Sequence, residues 1–435
     1  MKVFKFGGAS IKDAAAVKNV ASILERYRSE SLVVVVSAMG KTTNALEAVV
    51  AAHAKQNGQA QGLIEALKDQ HYGLMQELFD AGDEVFATVN DTFVEADWVL
   101  EEKPSDNYDY MYDQIVCVGE LVSSKIVTAY LNKIGLRTHW LDARDVVATD
   151  NTYREGWVNW EKTKPNALKT VQPLLDQGGF VLTQGFIGST SENFTTTLGR
   201  EGSDYSAAIF SFCLDSESMT IWKDVPGVLN ADPRLFENTI KLDRLSYREA
   251  IEMTYYGAQV IHPKTIKPLQ NKSIPLFVKS FLNPEAPGTE ISSDTEDTYP
   301  PIIVVEKNQT LLHIITNDYS FVAEQHIARL FADLAALRIF VNMMQNTAIS
   351  FSICVPNVPE RIEKFIKGIS DEFRVKREDG LELITVRHYN EDTVNNLKKG
   401  MIVLFEERIR NTLQMVVKNV PAIERRAVEL ERAKG

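Results

Sequence analysis

Leu32-Val33-Val34-Val35-Val36 is apolar at five successive positions, without the alternation that a strand with one wet face would show. A strand buried on both faces belongs to a sheet covered by helices, which is the setting of parallel strands. Residues 3–6 also read as a strand and run into Gly7-Gly8, and the helix that follows carries Val17, Val20, Ile23 and Leu24 on one face. Residues 180–183 and 218–222 supply further strands. Residues 58–103 read as largely helical and acidic, and an aromatic piece at 108–112 precedes a helix from about 113 to 133. The pattern through about residue 295 is therefore α/β, a mainly parallel sheet sandwiched by helices. Small and polar residues follow most of these strands, and open sheets of this kind bind ligands at the carboxyl ends of their strands.

Asn283-Pro284-Glu285-Ala286-Pro287-Gly288-Thr289 and the acidic stretch up to Pro300-Pro301 form the clearest boundary. Beyond it come a strand at 311–316, a helix at 321–337, strands at 339–344 and 348–355, and a helix at about 359–369. A shorter cycle follows, with a strand at 383–387, a helix at 393–399, strands at 401–405 and 412–417, and a charged terminal helix. This gives a domain at 1–295 and two small α+β units at 296–380 and 381–435.

Composition narrows the function. The 44% hydrophobic and 24% charged residues are ordinary globular values, which sets disorder aside. Asp plus Glu is 59 against 47 Lys plus Arg, and the net charge of -12 argues against a nucleic-acid surface. Cys117, Cys213 and Cys354 stand far apart in apolar runs and read as reduced fillers rather than a disulfide or metal set. The opening Lys2-Val3-Phe4-Lys5-Phe6 is a strand pattern rather than a secretory signal. No apolar run is expected to approach the roughly 20 residues that cross a bilayer. A soluble cytoplasmic protein without a membrane partner is the expectation.

Two loops suit phosphate. Thr195-Thr196-Thr197-Leu198-Gly199-Arg200-Glu201-Gly202-Ser203-Asp204-Tyr205-Ser206 gathers hydroxyls, glycines, a guanidinium and carboxylates before a helix that Ser203 or Asp204 could cap from about Tyr205. Lys5-Phe6-Gly7-Gly8-Ala9-Ser10 places a lysine at a strand end, glycines in the turn and Ser10 where a helix could be capped. Neither a Walker loop nor a dinucleotide fingerprint is present.

These loops occur in order with Val36-Ser37-Ala38-Met39-Gly40-Lys41-Thr42-Thr43, Val118-Gly119-Glu120-Leu121-Val122-Ser123-Ser124, Trp222-Lys223-Asp224-Val225-Pro226-Gly227-Val228 with Ala231-Asp232-Pro233-Arg234, and Gly257-Ala258-Gln259-Val260-Ile261-His262-Pro263-Lys264. Through residues 1–292 the chain resembles the aspartate kinases of the amino acid kinase family. The resemblance implies transfer of the γ-phosphoryl group of ATP, with Mg²⁺, to the side-chain carboxylate of L-aspartate, the first step of lysine, threonine and methionine synthesis. It implies Lys5 and Asp204 as catalytic residues, and Ser37, Thr43, Glu120 and Arg200 around the substrate. It places Lys5, Gly7, Gly8, Ser10, Lys223, Asp224, Asp232 and Arg234 around ATP, with no dedicated metal ligands. Arg200 suits a carboxylate because its guanidinium binds in two-pronged fashion. The chain departs from the family at Lys223, Leu229 and Gln259, where threonine, tyrosine and lysine are common, and Lys223 is a candidate to restore the charge absent at Gln259. His262 reads as a helix-capping residue, because phosphorylating a carboxylate requires no proton removal.

The terminal units resemble the paired ACT domains of aspartate kinases. The resemblance implies an amino-acid effector, lysine or threonine, and a homodimer joined through these units, with residues 302–307 completing the sheet of the last unit. Thr316-Asn317-Asp318-Tyr319-Ser320 lacks the glycine common in the family's effector turn, whereas residues 346–352 lie where the family's effector strands do. Service in dimerisation alone stays open. So do a kinase acting on another acceptor and a non-catalytic amino-acid sensor, although the sensor would be expected to lose Lys5 or Asp204.

Overall fold

The computed structural model describes residues 1–419 apart from 259–260, 294–297 and 319. The chain forms two compact units, the first made of Met1–Val228, Lys241–Ile251 and Gln259–Glu296, the second of Leu229–Ile240, Glu252–Ala258 and Asp297–Gly435. The sequence reading has one continuous segment, 1–295. The excursion at 229–240 falls in the second unit for a local reason: Asn230 Nδ2 donates to Pro301 O, and Ile303 N donates to Asn230 O.

The first unit is built on an eight-stranded sheet in the order Thr138–Leu141, Phe180–Gln184, Leu32–Val36, Lys2–Phe6, Ser218–Lys223, Leu276–Ser280, Thr289–Ser292 and Arg244–Ser246. The first six strands are parallel neighbours, and Thr289–Ser292 turns antiparallel. Leu32–Val36 and Phe180–Gln184 are buried at every residue, as strands covered on both faces must be. The helix Ala14–Glu25 buries Val17, Val20, Ile23 and Leu24.

Three local readings need correction. The helix Ala14–Glu25 is capped by Asp13, which accepts from Ala16 N, whereas Ser10 lies in a short 3-10 turn, Gly8–Ile11. The later helix begins at Gly202, with Glu201 at its N-cap position and no side-chain cap, so neither Ser203 nor Asp204 caps it. The aromatic piece at 108–112 is itself helical: Tyr108–Val116, capped by Asn107, buries Met111, Tyr112, Ile115 and Val116 and continues after Cys117 as Val118–Lys133. That whole stretch is long and apolar enough to cross a membrane, contrary to the sequence reading, yet 78% of its apolar window is buried in the fold. Burial of that kind marks a core helix of a folded unit.

The second unit holds a six-stranded antiparallel sheet in the order Met343–Asn346, Ser350–Pro356, Ile302–Thr316, Phe373–Arg387, Thr412–Asn419 and Met401–Ile409. Its two central strands run 15 residues each. Residues 309–316 pair with 373–381, and residues 302–306 pair with 383–387, whose other edge pairs with Thr412–Asn419. The two α+β cycles therefore share one sheet, and 302–306 adds a strand to the second cycle. The terminal charged helix of the sequence reading lies outside the described residues.

Glu324–Ala336 and Pro359–Ile369 cover the first cycle, burying Leu330, Leu334, Ile362 and Phe365 against Leu312, Ile314, Phe351 and Ile353. Phe365 is 1% exposed. Truncating such a ring removes its transfer free energy and leaves a cavity. Phe365→Ala is expected to cost about 3–5 kcal/mol, read as faster amide hydrogen exchange in Leu312 and Ile314 with exchange in Leu32–Val36 unchanged.

Candidate active site

The loop at 7–10 leaves the carboxyl end of the central strand Lys2–Phe6, whereas the loop at 198–201 follows Thr195–Thr197, which pairs with Ile187–Ser189 in a separate two-stranded sheet. Lys5 is the penultimate residue of Lys2–Phe6, and its Nζ lies 2.6 Å from Asp204 Oδ1, with both side chains buried. Asp204 occupies the first turn of Gly202–Cys213. Burial alone would push its carboxyl up, but the ammonium groups of Lys5 and Lys223 outweigh that and hold it below its ordinary value. Asp204 therefore stays ionised beside Lys5.

Gly8 is a packing requirement. A Cβ there would stand 2.7 Å from Ala38 O and 3.0 Å from Gly40 O, while Gly40 N donates to Gly8 O at 3.0 Å. The two loops that leave neighbouring strands thus touch backbone to backbone. Gly7 lies beside Lys5 Nζ, and Ser10 Oγ makes a long 3.5 Å hydrogen bond to Trp222 O, joining the first loop to the end of Ser218–Lys223.

Glu120 sits in the first turn of Val118–Lys133 and is 2% exposed. Its Oε1 accepts from Ala38 N at 3.4 Å, and its Oε2 has no hydrogen-bond partner among the described residues. Burial pushes its carboxyl up to about 8, against the smaller pull of the backbone N–H groups of Glu120 and Ala38. A buried carboxylate oxygen without a donor is costly, and its retention points to a ligand that supplies a cation. Gly119 lets this helix approach the second loop, since a Cβ there would come within 3.1 Å of Ala38 Cβ. Thr43 is half-buried in the first turn of Thr42–Ala54, and Ser37 is half-buried in the loop before it.

The remaining residues divide. Arg200 is exposed, in a loop where Gly199 has φ +76°. Lys223 is half-buried at the end of its strand, and Asp224 beyond it is exposed. Asp232 and Arg234 belong to the second unit, and the Arg234 guanidinium grips Asp232 with Nε at 3.0 Å and Nη2 at 2.7 Å. Gln259 lies outside the described residues. Leu229 is half-buried in the second unit. His262 caps the helix Pro263–Asn271 by accepting from Lys264 N, which is the role read from the sequence.

Two supporting residues escaped the sequence reading. Asp113 is fully buried: one oxygen accepts from Thr197 N at 2.8 Å and Arg154 N at 2.9 Å, the other from Thr197 Oγ1 at 2.7 Å. It fastens the strand that leads into the Arg200 loop. Ser123 Oγ donates to Ser37 O at 2.7 Å and so holds the second loop onto the Glu120 helix. The available signal for Asp113 was a carboxylate placed among the apolar residues of a buried helix face.

The sequence profile of the amino acid kinase family matches residues 1–280. The chain belongs to the amino acid kinase family. It is 30% identical over 397 residues to lysine-sensitive aspartokinase 3 of Escherichia coli, covering 88% of this chain and 86% of that protein. It is 34% identical over 304 residues to bifunctional aspartokinase/homoserine dehydrogenase 1 of Arabidopsis thaliana, covering 68% of this chain and 33% of that one. The chain thus spans about a third of the bifunctional plant relative. The crystal structure of E. coli aspartokinase III with aspartate and ADP, in its R-state, superposes with a TM-score of 0.81 at 26% identity over 98% of each chain. A T-state structure of that protein with lysine and aspartate gives the same score. The α/β kinase fold followed by units of ACT type is as the sequence reading has it.

Glu120 yields a pH signature. Its folded-state pKa, about 8, lies above the ordinary 4.5, so its contribution to stability is full below about pH 4.5 and lost as pH rises through about 8. Glu120→Gln is expected to flatten the fall in Tm that the wild type shows between about pH 5 and pH 9, and to be the more stable protein at the alkaline end. Thermal denaturation across that range checks this, and an unchanged slope in the variant would place the titration elsewhere.

Proposed function

We propose that the chain transfers the terminal phosphoryl group of ATP to the side-chain carboxylate of L-aspartate, giving 4-phospho-L-aspartate. The observation that carries this reading is Glu120, a buried carboxyl group with an undonated oxygen whose other oxygen meets the loop at 37–40, which in turn touches the loop that follows Lys5. An amino-acid acceptor requires an anion for its ammonium near the cation that handles phosphate. Glu120 supplies the anion once the docking ammonium draws its carboxyl down from about 8, and Arg200 the grip on the α-carboxylate. The aspartokinase relatives, and the aspartate and ADP bound by E. coli aspartokinase III, support the assignment.

Phosphoryl transfer needs positioning and charge neutralisation more than covalent chemistry. Lys5 and the Gly7-Gly8 turn face the transferring group, Asp204 holds the Lys5 ammonium in place, and Ser37 and Thr43 present hydroxyls to the acceptor. Lys223 stands as a second cation over Asp204. Among the described residues no group of three or more His, Cys, Asp or Glu side chains gathers to cage a metal. Mg²⁺ carried on nucleotide phosphates needs only one or two protein carboxylates, and Asp204 would supply one. The ion would neutralise phosphate charge. The ACT-type units are proposed to bind an amino-acid effector and to join two subunits, and the lysine bound in the T-state relative favours lysine over threonine.

ATP-dependent acyl phosphate formation, trapped as the hydroxamate, is expected with L-aspartate and not with L-glutamate or without acceptor, and to fall on addition of lysine. Turnover with glutamate alone would replace the acceptor. No turnover with any acceptor in folded protein would favour the sensor reading.

A further inference from the structure

Glu201 stands at the N-cap position of the Asp204 helix with φ of 53°, in the left-handed region. A residue with a Cβ adopts that backbone at a cost and keeps it only where its surroundings hold it, whereas glycine adopts it freely. Here the hold is visible. Glu201 Oε2 accepts from His262 N at 2.9 Å, and Glu201 O accepts from Asp204 N at 3.0 Å and Tyr205 N at 3.1 Å. His262 is in turn fixed as the N-cap of Pro263–Asn271. The Glu201 carboxylate thus ties the start of one helix to the start of another.

The turn is closed on its other side as well. Gly202 N donates to Gly199 O at 2.9 Å, Gly199 lies against Arg154 O, and a Cβ on Gly202 would fall 2.6 Å from Phe186 Cδ2. Arg200 leaves this turn exposed one residue before Glu201, while Asp204 has a hold of its own in Lys5 at 2.6 Å. Loss of the Glu201 anchor would therefore fall first on Arg200.

We propose that Glu201 is a positioning residue for the acceptor: its carboxylate, engaged by the His262 N–H, locks the left-handed turn that aims Arg200 at the substrate carboxylate. The inference rests on the aspartate kinase reading for its acceptor and on the turn geometry for its anchor. Three variants separate anchor from strain. Glu201→Gln keeps an oxygen that can accept from His262 N, Glu201→Ala loses it and keeps the strain, and Glu201→Gly loses it and relieves the strain.

Glu201→Gln is expected to stay within about twofold of the wild-type KM for L-aspartate. Glu201→Ala and Glu201→Gly are expected to raise that KM about tenfold or more, with kcat and the KM for ATP held within about threefold, since a misaimed binding group reports in KM. A Glu201→Gly enzyme with wild-type KM, or a Glu201→Gln enzyme as impaired as Glu201→Ala, would overturn the proposal. Amide hydrogen exchange at 199–205 without substrates reads the anchor apart from the acceptor, and faster exchange is expected in the Ala and Gly variants than in wild type and Gln. That pattern in a protein that leaves aspartate untouched would keep the anchor and discard the kinase reading. Unchanged exchange in Glu201→Ala would discard the anchor whatever the activity.

Discussion

The ion pair between Lys5 and Asp204 joins the central strand to the helix packed across it, and much of the surrounding geometry follows from bringing those two charges together out of water. Each charge alone would carry a desolvation cost of several kcal/mol, and removing one partner from such a pair costs about 3–5 kcal/mol because the other is left uncompensated. The helix can come that near only where side chains are missing. A Cβ on Gly185 would lie 2.5 Å from Ser203 Cβ, and one on Gly202 2.6 Å from Phe186. The glycines around the pair are therefore conditions of its short distance, in addition to any service to phosphate.

Three buried carboxylates in the first unit show how environment assigns role. Asp113 accepts three hydrogen bonds and still sits at about 6, with burial as the largest cause. Asp204 faces two ammonium groups and lies below its ordinary value. Glu120 receives only weak backbone donation and rises to about 8. A carboxylate whose acceptor sites are filled by backbone is a fastening, and one left with an undonated oxygen is prepared for a ligand. Divergent pKa values among neighbouring acids are a common mark of a working site.

How much of this was legible in the sequence depends on the range of the interaction. The buried strands at 32–36 and 180–184 announce themselves because burial on both faces writes itself into five consecutive residues. Lys5, Glu120 and Asp204 were legible through ordered motifs. Asp113 and Ser123 were not, because their partners, Thr197 and Ser37, lie far along the chain and a lone polar residue in a helix gives no sign of which backbone it will meet. The start of the Asp204 helix was misread for a related reason. Glu201 is a poor candidate for left-handed backbone by local preference, and a hydrogen bond from His262 N, sixty-one residues on, overrides that preference.

The second unit carries a constraint of another kind. Because Ile302–Thr316 and Phe373–Arg387 each serve both α+β cycles, a strand displaced in one cycle has no free end inside the sheet at which to dissipate the movement. The ladder between them has register shifts between Glu306 and Gln309 and between Gln309 and Leu311, and there the two halves can adjust independently. That place is fastened: Asn342 Nδ2 donates to Glu306 Oε2 at 3.0 Å and to Gln309 Oε1 at 3.1 Å, and a Cβ on Gly257 would lie 2.7 Å from Glu306 Cγ. Burial pushes the Glu306 carboxyl up as well, so the junction holds a polar cluster in a poorly solvated position, where each hydrogen bond counts for more than it would at the surface. A sheet that is continuous across its length and fastened at the irregular stretch of its central ladder couples the two cycles, so that a displacement in one is carried to the other.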